Sequence, residues 1–451
     1  MGRLFGTDGA RGVAVTELSC ETAMQIGRAA ALVLTKQKKG EGRARILIGK
    51  DTRVSSDILE AALAAGILSV GADAELLGIV PTPAVAYLVK RYGADAGVMI
   101  SASHNSVEYN GIKLFSGTGF KLPDEVENEI EALILDHPDR ITLRDGTAVG
   151  RIARRETAVD DYVDRLLETA GEAKKDLRVL IDCANGSASA TAEKLFRGLG
   201  TDFALLSAEP DGCNINENCG STHLDRLCDA VKKGKYDLGI AFDGDADRCL
   251  AADENGKAVD GDKLIAILSE RMKERGTLKN DTAVVTVMSN LGFHTYMKKH
   301  RLGTVCTAVG DRYVLEEMLK NGYNIGGEQS GHIIFLDHAT TGDGQLTAVQ
   351  LIRLLAETGA PLSSLTAEIE DFPQLLLNVR IPEQSKGKWQ KDERIAEAIR
   401  EAEQALGEDG RILVRESGTE PLVRVMIEGK NEADVTKWTN RIADEIKARL
   451  A

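Results

Sequence analysis

The sequence predicts an α/β protein: three similar α/β domains with mixed, largely parallel sheets and a smaller C-terminal α+β domain, arranged around a central cleft. Three observations predict it. The chain has 451 residues, which at usual domain sizes means three or four cores. A short β-branched run entering a polar loop occurs three times, and each is followed some tens of residues later by a second apolar run ending in a loop rich in reactive side chains. After Asp371 the pattern changes to short strands and two charged helices.

In chain order, the first β-branched run is RILIGKDTR (Arg45 to Arg53), followed by helical spacing over Ser56 to Val70 and by the run GVMISASHN. Asp124 to Leu135 reads as an amphipathic helix, and the polar stretch Asp136 to Gly150 leads out of a first domain, residues 1–150. RVLIDCANGS (Arg178 to Ser187), a helix over Thr191 to Leu199 and the run LGIAFDGDADR make a second domain, 151–255, ended by the turn chemistry of ADENGKAVD. A helix over Asp262 to Lys273, the strand TAVVTVMSN and the run YNIGGEQSGH make a third, 256–370. The fourth, 371–451, holds the strand LLLNVRI, a helix over Asp392 to Leu406, the runs RILV and LVRVMIEG, and a helix over Ala433 to Leu450. Helices between strands imply crossover connections, which place the loaded loops at the carboxyl ends of parallel strands.

A formal net charge of -14 disfavours nucleic acid and anionic membranes as partners. No apolar run approaches the length of a membrane span; the richest, Ala61 to Val80, is broken by Asp73 and Glu75. The first twenty residues carry Asp8 and Arg11 among glycines, so the expected compartment is the cytoplasm. Seven cysteines without a C-x-x-C fit free thiols in a reducing compartment. Cys213, Cys219, His223 and Cys228 form a loose cluster whose spacing lacks a zinc knuckle.

Three motifs carry chemistry. In DGDADR, Asp243, Asp245 and Asp247 alternate at a strand end, so their carboxylates converge on one side and repel unless a hard cation joins them. An EF-hand reading puts Arg248 where the loop needs glycine, and a strand where it needs a helix, which favours a catalytic metal with open positions. ISASHN offers Ser101 and Ser103, either as nucleophile or as caps of a turn. In RESGTEPLVR, the amides of Ser417, Gly418 and Thr419 with Arg415 and Arg424 suit phosphate oxygens, unless the segment is an ordinary turn between strands.

Taken together and in order, FGTDGARG, ISASHN, DGDADR, GEQSGH and RESGTEP resemble the α-D-phosphohexomutase superfamily over the full length of the chain. The resemblance implies four domains around a cleft and a phosphoserine at Ser103. It implies one Mg2+ per subunit, held by Asp243, Asp245, Asp247 and the phosphoserine. Glu328 and Ser330 would recognise sugar hydroxyls, and Arg415, Ser417, Gly418, Thr419 and Arg424 would hold the phosphate that is not transferred. FGTDGARG at Phe5, NINENCGSTH from Asn214 to His223 and Gln329 are similar to the branch acting on glucosamine phosphates. That branch interconverts the 6- and 1-phosphates through a bound sugar bisphosphate, on the route to amino-sugar nucleotides and cell-wall precursors.

The pattern further implies Lys113 of NGIK as the base, with Arg11 and His332 assisting and Arg248 neutralising charge on the phosphoryl group. Relatives are often homodimers. Where they usually carry proline after the HN of the serine loop, this chain has Ser106, which leaves open what holds that loop rigid. Two alternatives stand beside this reading: a phosphomannomutase or phosphoglucomutase of the same superfamily, and a noncatalytic sugar-phosphate or calcium-binding protein.

Overall fold

The fold is taken from a computed structural model, which describes residues 3–6, 8–36, 42–171, 176–416 and 421–450. By packing, the chain divides into two compact units, one of residues 1–288 and 302–367 and the other of residues 289–301 and 368–451.

The first unit contains three sheets. The first runs β1 (Ala10–Val13), β5 (Tyr109–Ser116), β4 (Ala96–Ile100), β2 (Arg45–Lys50), β3 (Asp73–Ile79), β6 (Ile152–Arg154). Its β4, β2, β3 and β6 are parallel, while β5 runs the other way and pairs antiparallel with both β4 and β1. β6 pairs beyond residue 150, so this sheet runs past the linker at which the sequence places the end of the first domain. Helices Cys20–Leu34 and Val54–Ser69 are rich in small residues, which lets their backbones touch. A Cβ on Gly27 would lie 2.5 Å from the Leu63 carbonyl oxygen, and one on Gly66 would lie 2.2 Å from that of Met24. Any larger residue there would push the helices apart and open the core over β2 and β4.

The second sheet has the order β11 (Ala258–Val259), β10 (Cys249–Asp253), β9 (Leu238–Phe242), β7 (Arg178–Asp182), β8 (Asp202–Leu206). In the parallel trio β8, β7, β9, the inner strands β7 and β9 are apolar and buried at their centres, as strands covered on both faces must be, while the edge strand β8 is half-buried. The third sheet, β13 (Gly303–Thr307), β12 (Thr282–Thr286), β14 (Ile325–Gly327), β15 (Ile333–Phe335), is parallel apart from its last hairpin. Helix Gly261–Glu274 begins at Asp260, whose Oδ1 accepts the Lys263 amide at 3.0 Å and so caps the first turn.

The second unit is a three-stranded antiparallel sheet, β16 (Gln374–Arg380), β18 (Leu422–Gly429), β17 (Gly410–Glu416). Val423, Val425 and Ile427 point to one face, where Ile395, Ala398 and Ala402 of helix Glu393–Leu406 and Ile442 and Ile446 of helix Glu432–Leu450 bury them. Helix Leu291–Lys299 also packs in this unit: its Leu291 amide donates to buried Glu428 at 2.9 Å, and Asn290 Nδ2 donates to the Phe372 carbonyl at 3.0 Å. Among the described residues no helix is long and apolar enough to cross a membrane.

Candidate active site

The aspartate and serine loops of the first unit sit where strands end, while Arg11 and Lys113 lie within strands β1 and β5. β9 delivers Asp243, Asp245 and Asp247 into a tight loop before β10, with Ala246 at φ 55. Strands on both sides of this loop exclude the helix-flanked EF-hand geometry. All three carboxylates are buried and offer oxygens within 4.8 Å of one another. β4 delivers the serine loop, in which Ser103 adopts the left-handed conformation at φ 53. Its Oγ donates to Asp243 Oδ2 at 2.5 Å. The approach of the two loops requires glycine at 244, since a Cβ there would lie 2.5 Å from the Ser103 carbonyl oxygen.

β5 carries Lys113, only 2% exposed, into the same place. Its Nζ lies 2.8 Å from Asp245 Oδ2, 3.1 Å from Asp8 and 3.4 Å from Asp247. Burial alone would lower the affinity of this amine for its proton, but the Asp245, Asp8 and Asp247 carboxylates outweigh it and hold the ammonium well above the ordinary lysine range. Burial likewise opposes ionisation of Asp8, yet Lys113, Lys121 and Arg11 keep its carboxyl well below the usual range. Asp243 faces no lysine; burial, then Asp247 and Asp245, push its carboxyl well above the usual range. Burial, then Arg248 and Arg11, press the His104 imidazole down to about 4, so it is neutral at pH 7; its Nδ1 lies 3.4 Å from Ser103 Oγ.

A cavity of about 260 Å³ opens beside this cluster, lined by Asp8, Arg11, Asp247, Arg248, Glu328 and His332 among others. His332 Nε2 is 3.6 Å from Asp311 and 3.9 Å from Asp247, and neither ring nitrogen has a hydrogen-bond partner among the described residues. The turn between β14 and β15 is held in place at two points: Glu328 accepts the Gly310 amide at 3.2 Å, and Gln329 donates to Asp260 at 3.0 Å. Ser330 lies in this turn but outside the cavity lining.

Sequence reasoning therefore finds residues that the fold brings together, Ser103, the three aspartates, Lys113, Arg11, Arg248, His332 and Glu328. It misses three that join them. Asp8 stands inside the quoted FGTDGARG, where a lone carboxylate among glycines was the available signal. Lys121 and Asp311 form an ion pair at 2.6 Å across 190 residues of chain, and Lys121 also reaches Asp8 at 2.6 Å. In the second unit, Arg415 on β17 and Arg424 on β18 are direct cross-strand partners on the face away from the helices. Burial and the neighbouring Arg424 charge lower the Arg415 pKa, a like-charge pairing that an anion would relieve. Ser417, Gly418 and Thr419 lie outside the described residues.

Models described as phosphoglucomutase/phosphomannomutase alpha/beta/alpha domains I, II and III and C-terminal domain match residues 2–140, 160–256, 260–372 and 376–445. The chain belongs to the phosphoglucomutase/phosphomannomutase family. It is accordingly an isomerase of the phosphohexomutase type. Within the family it is 52% identical over 449 residues to a phosphoglucosamine mutase of Clostridium perfringens (strain SM101 / Type A), covering all of both chains. It is also 52% identical over 453 residues to one of Caldicellulosiruptor saccharolyticus, again over the whole of both. The fold matches a crystal structure of a phosphoglucomutase/phosphomannomutase family protein from Burkholderia thailandensis with a TM-score of 0.82 at 23% identity, covering 99% of this chain and 97% of that one.

The aspartate loop fits the cation that the family chemistry calls for. Asp245 Oδ1 and Asp247 Oδ1 are buried without a hydrogen-bond partner among the described residues, and burial together with the Asp247 and Asp245 charges makes Asp243 hold its proton, which a cation in the loop would oppose. An all-carboxylate oxygen set of this kind suits a hard divalent ion. The Cys213, Cys219, His223 and Cys228 cluster does not gather: among the described residues, the aspartates are the group that could hold a metal.

Proposed function

We propose that the chain interconverts glucosamine 6-phosphate and glucosamine 1-phosphate through a phosphoserine at Ser103 and a bound sugar bisphosphate. The observation that carries the chemistry is Ser103 itself, buried, in left-handed backbone conformation and with its Oγ 2.5 Å from the metal-type aspartate Asp243. The amino sugar is supported by the full-length 52% identity to phosphoglucosamine mutases.

In the first half-reaction the bond between phosphorus and Ser103 Oγ breaks, a bond from phosphorus to a sugar hydroxyl oxygen forms, and the hydroxyl proton leaves to a base. In the second, the bond from the other phosphorus to its sugar oxygen breaks, that phosphorus bonds to Ser103 Oγ, and the proton returns to the freed sugar oxygen. Reversal after the bisphosphate turns over restores the phosphoserine. A magnesium ion held by Asp243, Asp245, Asp247 and the phosphoserine would supply positive charge to the phosphoryl oxygens. Arg248 and Arg11, at the cavity wall, add to that charge. Lys113 keeps its proton in the site as it stands, so in this proposal it stabilises negative charge, while the unpartnered His332 ring nitrogens provide the proton acceptor. Glu328 and Ser330 are assigned to sugar hydroxyls and the Arg415/Arg424 pair, with Ser417, Gly418 and Thr419, to the phosphate that stays. Cytoplasmic amino-sugar and cell-wall precursor synthesis by a homodimer completes the proposal.

A phosphorus NMR time course of phosphorylated protein with magnesium and, separately, glucosamine 6-phosphate, glucose 6-phosphate or mannose 6-phosphate tests it. Preferred turnover of the amino sugar is expected. Equal or faster turnover of a neutral sugar would overturn the substrate and keep the family chemistry; no turnover of any would favour a binding protein.

A further inference from the structure

Outside the metal loop, the first unit also buries the charge of Arg53 completely, its side chain 0% exposed beside an equally buried Asp51. Burying a guanidinium is costly unless every N–H finds an acceptor. All five do. Nε donates to Asp51 Oδ2 at 2.9 Å. One terminal nitrogen donates to the carbonyls of Ser106 and of Tyr109, the latter at 3.0 Å. The other donates to the carbonyls of Ser103 at 3.1 Å and Asn105 at 2.7 Å. Three of these five hydrogen bonds therefore end on the main chain of the loop that carries the nucleophile, and a fourth on Tyr109, the first residue of the strand that follows it.

Two further side chains complete the seat. Asp51 Oδ2 accepts the Ser101 hydroxyl at 2.7 Å, and Ser101 Oγ in turn accepts the Ser103 amide at 2.9 Å. From NINENCGSTH, Asn216 Nδ2 donates to the carbonyls of Ser103 and Asn105, both at 2.9 Å. Both main-chain polar groups of Ser103 are thus held, and they are held in the left-handed backbone region, which a residue with a Cβ adopts only at a cost. None of these three side chains lines the cavity or reaches Ser103 Oγ.

We infer that Arg53, Asp51 and Asn216 are positioning residues that lock the serine loop around Ser103. The inference rests on the phosphoserine reading above. A phosphoserine that must give its phosphoryl group to either of two sugar hydroxyls and take it back needs an oxygen that does not wander. A loosened loop lets water take the phosphoryl group instead.

Arg53→Lys and Asn216→Ala test this. Lysine keeps the charge but has three donors, and cannot span the carbonyls that a planar guanidinium reaches. Folding is checked by circular dichroism, and kcat, KM and the ratio of sugar-phosphate product to inorganic phosphate released are measured by phosphorus NMR. The expected result is a kcat loss of about 100-fold for Arg53→Lys and about 10-fold for Asn216→Ala, with KM within about twofold and more hydrolysis per turnover. A merely structural role would lower the folded fraction and leave the ratio as it is. Folded variants that keep kcat, whose kcat/KM falls only through KM, or that lose kcat at an unchanged ratio overturn the inference. Should Arg53→Lys fail to fold, Asn216→Ala alone decides. Ser103→Ala runs in parallel: turnover by that variant would defeat the phosphoserine reading, whereas an inactive Ser103→Ala beside fully active Arg53→Lys and Asn216→Ala would defeat the positioning inference alone.

Discussion

Replacing Lys113 by methionine removes one positive charge from the centre of the site while keeping a flexible side chain of similar length. Three carboxylates lose a partner, at 2.8, 3.1 and 3.4 Å. Removing one member of a buried ion pair costs about 3–5 kcal/mol because it strands the other charge. The loss falls at the low end here, since Lys121 still holds Asp8 at 2.6 Å and Thr82 still donates to Asp245 at 2.5 Å. About 3 kcal/mol corresponds to a melting temperature lower by about 6–12 °C for a large domain. A thermal scan in the presence of a chelator reads this directly. Adding magnesium should then recover more of the loss in the variant than it adds to the parent, because the added cation meets less competing positive charge. A drop below about 2 °C, or equal magnesium effects in both proteins, would refute the argument that the ammonium offsets the aspartates.

Other expectations follow from charges elsewhere in the first unit and from one aspartate of the metal loop. Burial opposes ionisation of Glu357, but hydrogen bonds from Arg275, Arg353 and Arg271 outweigh it and hold its carboxyl at about 2. The stability it adds is present above the ordinary carboxylate range and is lost as pH falls through about 2. Glu357→Gln should thus cost about 1–2 kcal/mol in urea unfolding at pH 7, after allowance for solvent screening, and nothing near pH 2. Glu127 behaves oppositely: burial raises its carboxyl to about 7 despite Arg312 nearby. Its favourable protonated form is lost as pH rises through 7, so Glu127→Gln should be neutral at pH 4 and stabilising by about 1–3 kcal/mol at pH 8.5. Asp247→Asn should weaken magnesium binding at least about 10-fold in a calorimetric titration, leaving the unliganded fold intact.

What the chain reveals by itself follows the range of its interactions. Strands such as Leu238–Phe242 and Leu422–Gly429 are legible because an apolar period and a neighbouring turn are local facts. Helix starts move by one or two residues from the expected positions: the helix expected from Ser56 begins at Val54. Asp243, Asp245 and Asp247 are legible because alternation places them on one side of a strand end. The Lys121 to Asp311 pair is not, because it depends on how sheets from separate stretches face one another. Nor is the role of Arg53, which in the sequence only closes the run RILIGKDTR and in the structure is fully buried against carbonyls some fifty residues away. The placement of Leu291–Lys299 with the C-terminal sheet escapes a reading by periodicity for the same reason.

The most direct test of the account asks where the phosphoryl group rests during turnover. Protein taken from a steady-state reaction with isotopically labelled glucosamine 6-phosphate and magnesium is quenched in acid and digested with trypsin. The peptide from Tyr92 to Lys113, which contains Ser101, Ser103 and Ser106, is then sequenced by mass spectrometry. The account predicts labelled phosphate on Ser103 and on neither neighbour. Label on Ser101 or Ser106, or active turnover with this peptide unlabelled, would contradict it.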